Sequence, residues 1–480
     1  MSQSAVTLTG WRTALGLILM ASTAARLVAA PWPQFRGPNA SGVARESLPL
    51  PDAIGPGTNE KWVVEIPPGV SSPVIFGDRV FLTGLRGTDT LITFALDTKD
   101  GSIVWEAEAP VHSLEKTDKR PKGRLATSTC ATDGQHVVSF FGSSGLLCYD
   151  RNGKQLWYEK MGPFDNSRGG VSSPLLADGT VVLLEDHNQK SFLAAFDIAT
   201  GESRWRADRS VFNRSHCSPM LWSTDNHDYV IAVGSGLVTG YDLQTGLADW
   251  FVHGTSSVAN ITPVSGAGHL FVATANPGPQ RGGQLSFEQL VERDDTDSSG
   301  RLELDELPTG FLHEAFPLFD ANEDSELSKS EYQAVQQKLS TCRNGMLAIR
   351  AGGDTFERTE TGIAWHATKG IPRTSGPIFD NGILFMQAKG GVFQTLDAGT
   401  GKSLKMARVP MSGQIFSAPA LGDGKVYALS DRGECVVVSA KAEWELLSSS
   451  EFGEPTYPSP AIADGRVYVR TESKLYCFGK

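Results

Sequence analysis

Short apolar runs alternate with Gly, Asp and Asn turns through most of the chain, and they recur as one unit. The first half of the unit reads as a hairpin: Ser-Pro or a variant, a few apolar residues, a turn, then an alternating strand. Instances begin at Ser72, Thr129, Ser173, Ser218, Thr262, Gly376, Ala418 and Ser459. Among the turns, Asp178-Gly179, Asn381-Gly382, Asp423-Gly424 and Asp464-Gly465 are dipeptides suited to two-residue hairpin loops. The second half is an apolar strand, Asp-x-x-Thr-Gly or a variant, and a strand expected to end in Trp. It recurs over 97–105, 150–157, 197–205 and 242–250, with degenerate copies ending at Trp365, at Lys405 and at Trp444.

Four short strands per unit, at a period of about 40–50 residues, predict β-propeller blades. A sandwich would not explain one Trp per unit, and the simplest role for that Trp is packing between blades. Eight hairpins predict an all-β, eight-bladed β-propeller. The last unit has three strands of its own, so the segment 61–66, with Trp62, is expected to supply the fourth and close the ring.

One region breaks the pattern. Asp295, Asp297 and Ser299 fall at the first, third and fifth positions of a twelve-residue calcium loop, with Gly300 at the turn. The Arg301 carbonyl, Glu303 (directly or through water) and a bidentate Glu306 would complete the ligand set. A second loop repeats the spacing with Asp320, Asn322, Asp324, the Glu326 carbonyl, Ser328 and Glu331. Its sixth position is Ser325, which must take a left-handed conformation that costs about 1 kcal/mol or more. Phe287, Leu290 and Val291 predict a helix before the first loop, and Tyr332, Val335 and Leu339 one after the second. Between the loops there is room for one short shared helix, started by Pro308 and bent by Pro317. The whole reads as a small α-helical EF-hand pair inserted between the second and third strands of the fifth blade.

Domain bounds follow: 1–30 signal peptide, 31–60 lead-in, 61–275 and 344–480 propeller, 276–343 EF-hand pair. Of a formal net charge of -11, roughly -9 lies between residues 277 and 342. The remainder is nearly neutral and has no basic stripe for nucleic acid. A positive flank at Arg12 and a short apolar run over 14–25 predict export to the periplasm or beyond as a soluble protein; that run is too short to span a membrane. Cys130, Cys148, Cys217, Cys342, Cys435 and Cys477 show no metal spacing and are expected as small buried hydrophobes. No nucleophile–base–acid set is legible; Asp186-His187 is a weak pair, and the other histidines are dispersed. Trp222 and Tyr457 are candidates for polysaccharide contact, with ordinary packing the simpler expectation. Arg124, Arg168, Arg214 and Arg373 each precede the first strand of a different blade and would converge on the channel mouth, unless each pairs with a local carboxylate.

The Asp-x-x-Thr-Gly-x-x-x-Trp repeat resembles the blade motif of bacterial PQQ-like (pyrroloquinoline quinone repeat) β-propeller proteins, a group that includes the β-barrel assembly propeller of the outer membrane. The segments Trp32-Pro-Gln-Phe-Arg-Gly-Pro-Asn39 and Pro458-Ser-Pro-Ala-Ile-Ala-Asp-Gly-Arg-Val-Tyr468 are similar to exported members. The resemblance implies the fold and leaves activity open. Quinone-binding members carry adjacent cysteines over the cofactor, and the assembly lipoprotein carries a lipobox cysteine; this sequence has neither. The expectation is a calcium-binding, non-enzymatic scaffold whose partner is a protein or envelope component on the top face. A PQQ-dependent dehydrogenase of alcohols or sugars is the alternative.

Overall fold

The structure is a computed structural model that describes residues 30–45, 48–110, 124–164, 170–187, 190–209, 215–225, 227–276, 285–308, 311–314 and 316–480. The predicted signal segment thus lies outside the described residues, apart from Ala30. Eight four-stranded antiparallel sheets form the eight-bladed propeller. Blade 1 is Val74–Phe76, Arg79–Arg86, Thr90–Asp97 and Ile103–Glu108, from the axis outward. Blades 2 to 4 and 6 to 7 follow the same meander over 131–159, 175–208, 220–253, 378–408 and 420–451. The dipeptide turns behave as their residues require: Asp178 and Gly179 have φ of 47° and 66°, and the other three pairs match them.

The ring closes as the strand count predicts. Blade 8 contains Ala461–Ala463, Arg466–Arg470 and Lys474–Gly479, and its outer strand is Glu60–Glu65, paired antiparallel with Lys474–Gly479. No blade is left with a missing strand, so no inner edge is exposed.

Each residue of the repeat has a job at the seam between blades. In blade 3, Asp197 Oδ1 accepts from the N–H groups of Ala199 (3.0 Å) and Thr200 (2.9 Å), which fixes the turn. Gly201, at φ 76°, presents a bare backbone face. Trp157 of blade 2 lies on that face, where a Cβ would be 2.7 Å from its ring, and its Nε1 donates to the Ile198 carbonyl at 2.8 Å. The same donation links Trp62 to Thr98, Trp105 to Arg151, Trp205 to Leu243 and Trp365 to Ala398. These tryptophans are the third residue of the outer strand rather than its end. Where the Trp is lost, Lys405 donates to the Trp444 carbonyl and sits 4.6 Å over its ring. Trp444 precedes its strand, Leu446–Glu451, and so faces back toward blade 6. Trp250 folds over Gly240 of its own blade instead, beneath the Arg358 guanidinium of blade 5.

This seam is testable at one atom. An alanine Cβ at Gly246 (φ 71°) would stand 2.4 Å from Trp205, whereas at Gly268 (φ 74°) it would meet nothing within 4 Å. Gly268→Ala should lose only the left-handed penalty, about 1–2 kcal/mol. Gly246→Ala should lose about 2–4 kcal/mol, because overpacking is added. Urea unfolding measures both; equal losses would mean that the Trp–Gly contact is dispensable.

The lead-in does more than reach the closing strand. It crosses the axis and touches the innermost strands in turn. Trp32 exchanges two backbone hydrogen bonds with Ile75, and the Pro33 carbonyl accepts from Thr132 N–H at 2.8 Å. Gln34 and Asn39 side-chain oxygens accept from Leu176 (3.4 Å) and Leu221 (3.1 Å) in blades 3 and 4. Arg36, 1% exposed, donates to the carbonyls of Thr262 and Pro377 in blades 5 and 6. Gly42 and Ala44 pair with Leu421 in blade 7. Arg36, Gly37, Asn39 and Ala40 all have positive φ, so the segment coils tightly; a Cβ on Gly37 would strike the Trp32 indole at 2.6 Å. The contacts run from residues that precede the innermost strands, Thr262 and Pro377, to residues within them, such as Ile75 and Leu176, so the lead-in occupies the channel as a plug.

Candidate calcium loops and the channel mouth

The connection from His269–Thr274 to Gly345–Arg350 joins the second and third strands of blade 5, whose other strands are Val264–Gly266 and Ile363–Ala367. In an antiparallel meander such a connection emerges on the face that also carries the blade-to-blade loops. Its two stems are clasped: Asn276 N–H donates to Asn344 Oδ1 (2.9 Å), and Asn344 Nδ2 returns a bond to the Asn276 carbonyl (3.0 Å).

The inserted segment has a core of its own, with Phe287, Leu290, Leu302, Leu307, Phe316, Phe319, Leu327 and Tyr332 buried together. Helix Phe287–Asp294 begins with a reciprocal cap between Ser286 and Gln289, and helix Lys329–Ser340 ends the unit. The two acidic loops meet through a two-residue sheet, Leu302 opposite Leu327 and Glu303 opposite Glu326. Between them lie the helical stretches Phe311–Glu314 and Phe316–Phe319, in the place expected for the shared helix.

Asp295, Asp297 and Glu306 each place an oxygen within 4.8 Å of the others. Backbone donors hold them in place. Gly300 N–H donates to Asp295 Oδ2 (2.9 Å), Ser299 N–H to Asp297 Oδ1 (2.9 Å), and Thr296 and Glu303 N–H to the two oxygens of Glu306 (2.7 and 3.0 Å). Ser299 Oγ lies 3.4 Å from the Arg301 carbonyl. A hydrogen bond with Glu306 raises Glu303 to about 7, while the N–H groups of Glu303 and Thr296 lower Glu306 to about 2. The like charges of the two carboxylates, meeting at close range, push the pair apart in this way.

In the second loop, Asp320 accepts from Asp324 and Ser325 N–H (3.1 and 3.0 Å), and Glu331 from Ala321 and Ser328 N–H (3.0 and 2.9 Å). Asn322 Nδ2 donates to Asp324 (2.9 Å), and Ser328 Oγ to Glu331 (2.6 Å). Ser325 takes the left-handed conformation, at φ 67°. Arg301 reaches across to Glu326 (2.6 Å) and Asp324 (3.3 Å). Lys190 of blade 3 pairs with Glu323 (3.2 Å), bringing this loop against the propeller.

On the same face the channel opens as a blind cup of about 430 Å³, with Phe35 of the plug among its lining residues. A belt of Ser/Thr residues that begin the hairpins encircles it. Thr129 accepts from Ser72 N–H (2.9 Å), Ser173 from Thr129 (3.0 Å), Ser218 from Ser173 (2.9 Å), Thr262 from Ser218 (3.0 Å), Ser459 from Ala418 (2.9 Å) and Ser72 from Ser459 (3.0 Å). Gly376 and Ala418 have no hydroxyl to offer, and the Arg36 guanidinium fills the gap beside Gly376. Sequence reading found these residues as strand starts and missed the belt. It also missed the role of Arg36, which it noted only as part of the segment Trp32–Asn39.

The remaining sequence candidates fall in several different settings. Asp186 does not pair with His187: it holds Arg209 through two bonds of 2.8 Å, and His187 Nδ1 lies 3.6 Å from Glu185. Consecutive residues of an extended chain point opposite ways, whereas residues two apart share a side. Trp222 is buried against Trp250, while Tyr457 lines the cup. Arg168, Arg214 and the Arg124 side chain lie outside the described residues, and Arg373 is exposed. All six cysteines are buried, and burial raises the Cys130, Cys217 and Cys435 thiols to about 12. Among the described residues no helix is long and apolar enough to cross a membrane.

A family model described as outer membrane protein assembly factor BamB matches residues 88–278 and 318–478. The BamB of Burkholderia pseudomallei (strain K96243) is 28% identical over 204 residues, which cover 41% of this chain and 46% of that protein. The chain thus aligns with less than half the length of that relative. Among solved structures, BamB from Moraxella catarrhalis superposes with a TM-score of 0.55 at 11% identity, covering 87% of this chain and 98% of that one. A europium-containing methanol dehydrogenase gives 0.55 at 12% identity, covering 94% and 98%. At such identities the structures share the fold alone.

Proposed function

The chain belongs to the family described as outer membrane protein assembly factor BamB, and on that footing we propose that it is an exported, calcium-loaded propeller that binds protein partners of the cell envelope without catalysing a reaction. The convergence of Asp295, Asp297 and Glu306 carries this reading. Their oxygens are held by backbone donors, and a cation there would offset the like charges of the loop. Calcium would take Asp295, Asp297, Ser299, the Arg301 carbonyl and Glu306, with Glu303 direct or through water. The second loop would use Asp320, Asn322, Asp324, the Glu326 carbonyl, Ser328 and Glu331. Partners would dock on the insertion face, where the name of the relatives points to outer-membrane assembly components. Periplasmic residence agrees with that reading.

Titration calorimetry tests the metal. The full chain should bind calcium at micromolar to millimolar levels, on the order of an extracytoplasmic site. Asp295→Ala/Glu306→Ala should remove one equivalent; unchanged stoichiometry would refute the first loop. Capture of partners from envelope extract, with calcium or with chelator, tests the docking role.

The methanol dehydrogenase likeness favours PQQ-dependent oxidation of alcohols or sugars as a second reading. The sequence suits it less well: it has no adjacent cysteines, which quinone-binding members carry over the cofactor. Dye-linked oxidation after adding PQQ and calcium would decide in favour of the enzyme.

A further inference from the structure

We propose that the blind cup is a binding site for a neutral carbohydrate of one or two sugar rings, entered from the face that carries the insertion. Because the plug occupies the channel, the cavity is a dead end with one mouth. Its volume of about 430 Å³ is within the range of small-molecule sites.

The donor set argues for the ligand class. Ser72, Thr129, Ser173 and Ser459 line the cup and are each at most 4% exposed. Every one of these hydroxyl oxygens accepts a backbone N–H from the neighbouring blade. Their protons have no acceptor among the described residues. A hydroxyl has one donor as well as its acceptor lone pairs. Blades 8, 1, 2 and 3 therefore present an unbroken arc of four O–H donors that are buried and ask for an acceptor-rich ligand.

The side next to the arc differs in kind. Blades 6 and 7 contribute no belt hydroxyl, and Phe416 and Tyr457 stand at the rim with ring centroids 5.7 Å apart. Asp431 adds an acceptor there, fixed by Gln414 N–H at 2.8 Å. Phe35 adds an apolar surface from the plug. A ligand filling the cup must bring several acceptors to one side, hydroxyl donors for Asp431, and an apolar face for the rings. Sugars combine these features: their hydroxyls both donate and accept, and their C–H faces stack on aromatics.

The inference is independent of the calcium loops. Calorimetric titration of the full chain with glucose, N-acetylglucosamine, cellobiose and chitobiose should find one-to-one binding of at least one of them. Phe416→Ala, at a side chain already 44% exposed, should weaken that binding by about tenfold or more. Asp431→Asn should do the same, and neither change should alter calcium stoichiometry. Stronger binding of the disaccharides would assign a polysaccharide end, and stronger binding of the monosaccharides a free sugar. The proposal fails if none of the four binds at about 10 mM, if binding survives both substitutions, or if only PQQ occupies the cup.

Discussion

A chain shortened to begin after Ile66 should lose most of its stability. Three losses coincide. Lys474–Gly479 becomes an open edge, because its partner Glu60–Glu65 is gone. Trp62, 9% exposed and bonded to Thr98, leaves the seam between blades 8 and 1; removing a buried Trp side chain alone costs about 3–5 kcal/mol. The plug goes as well, uncovering inner-strand groups in blades 1 to 7 and the carbonyls that Arg36 serves. Typical domains hold only about 5–15 kcal/mol in total, so the shortened chain should melt 10 °C or more lower, by about that order, or fail to accumulate. Thermal unfolding beside a chain trimmed only before residue 30 is the measurement. Equal melting points would mean that neither closure nor plug contributes.

The second large effect concerns a buried ion pair. Arg209 and Asp186 side chains are both 0% exposed, joined by two bonds of 2.8 Å, and Arg209 also donates to Tyr241 at 2.7 Å. Burial works against the guanidinium charge, but Asp186 and Tyr241 more than offset it and hold Arg209 above its ordinary range. Asp186→Ala leaves that charge in a dry setting and should cost about 3–5 kcal/mol. Replacing both partners, as Asp186→Leu/Arg209→Met, should recover most of the loss, less about 1 kcal/mol for the hydrogen bond to Tyr241. Chemical denaturation of the single and double variants reads this directly. A double variant as unstable as the single one would show that packing, not the stranded charge, sets the cost.

Legibility in the sequence followed the range of each interaction. Blade number and ring closure were readable because hairpins are local: dipeptides such as Asp423-Gly424 and alternating strands declare themselves within a few residues. The Asp-x-x-Thr-Gly turn was visible too, and its Trp implied a seam, though not that Nε1 reaches the carbonyl just after the next blade's Asp. The closeness of Asp295, Asp297 and Glu306 was legible because they sit within twelve residues. Arg36 was not, since its acceptors Thr262 and Pro377 lie 226 and 341 residues away. Ser72, Thr129 and Ser173 were noticed for their place before a strand. Their bonding to one another depends on ring geometry, which no local pattern encodes.

The closing strand gives the fold a schedule. Glu65 and its partner Lys474 are made some 400 residues apart, roughly 20–80 s of elongation at about 5–20 residues per second. Through that interval the earliest segment has no completed ring to enter, and the growing array ends in an edge that only this segment can satisfy. What is made first is therefore used last. Until Lys474–Gly479 exists, protection of the nascent chain must come from other molecules, since its own sequence keeps that task for the final step.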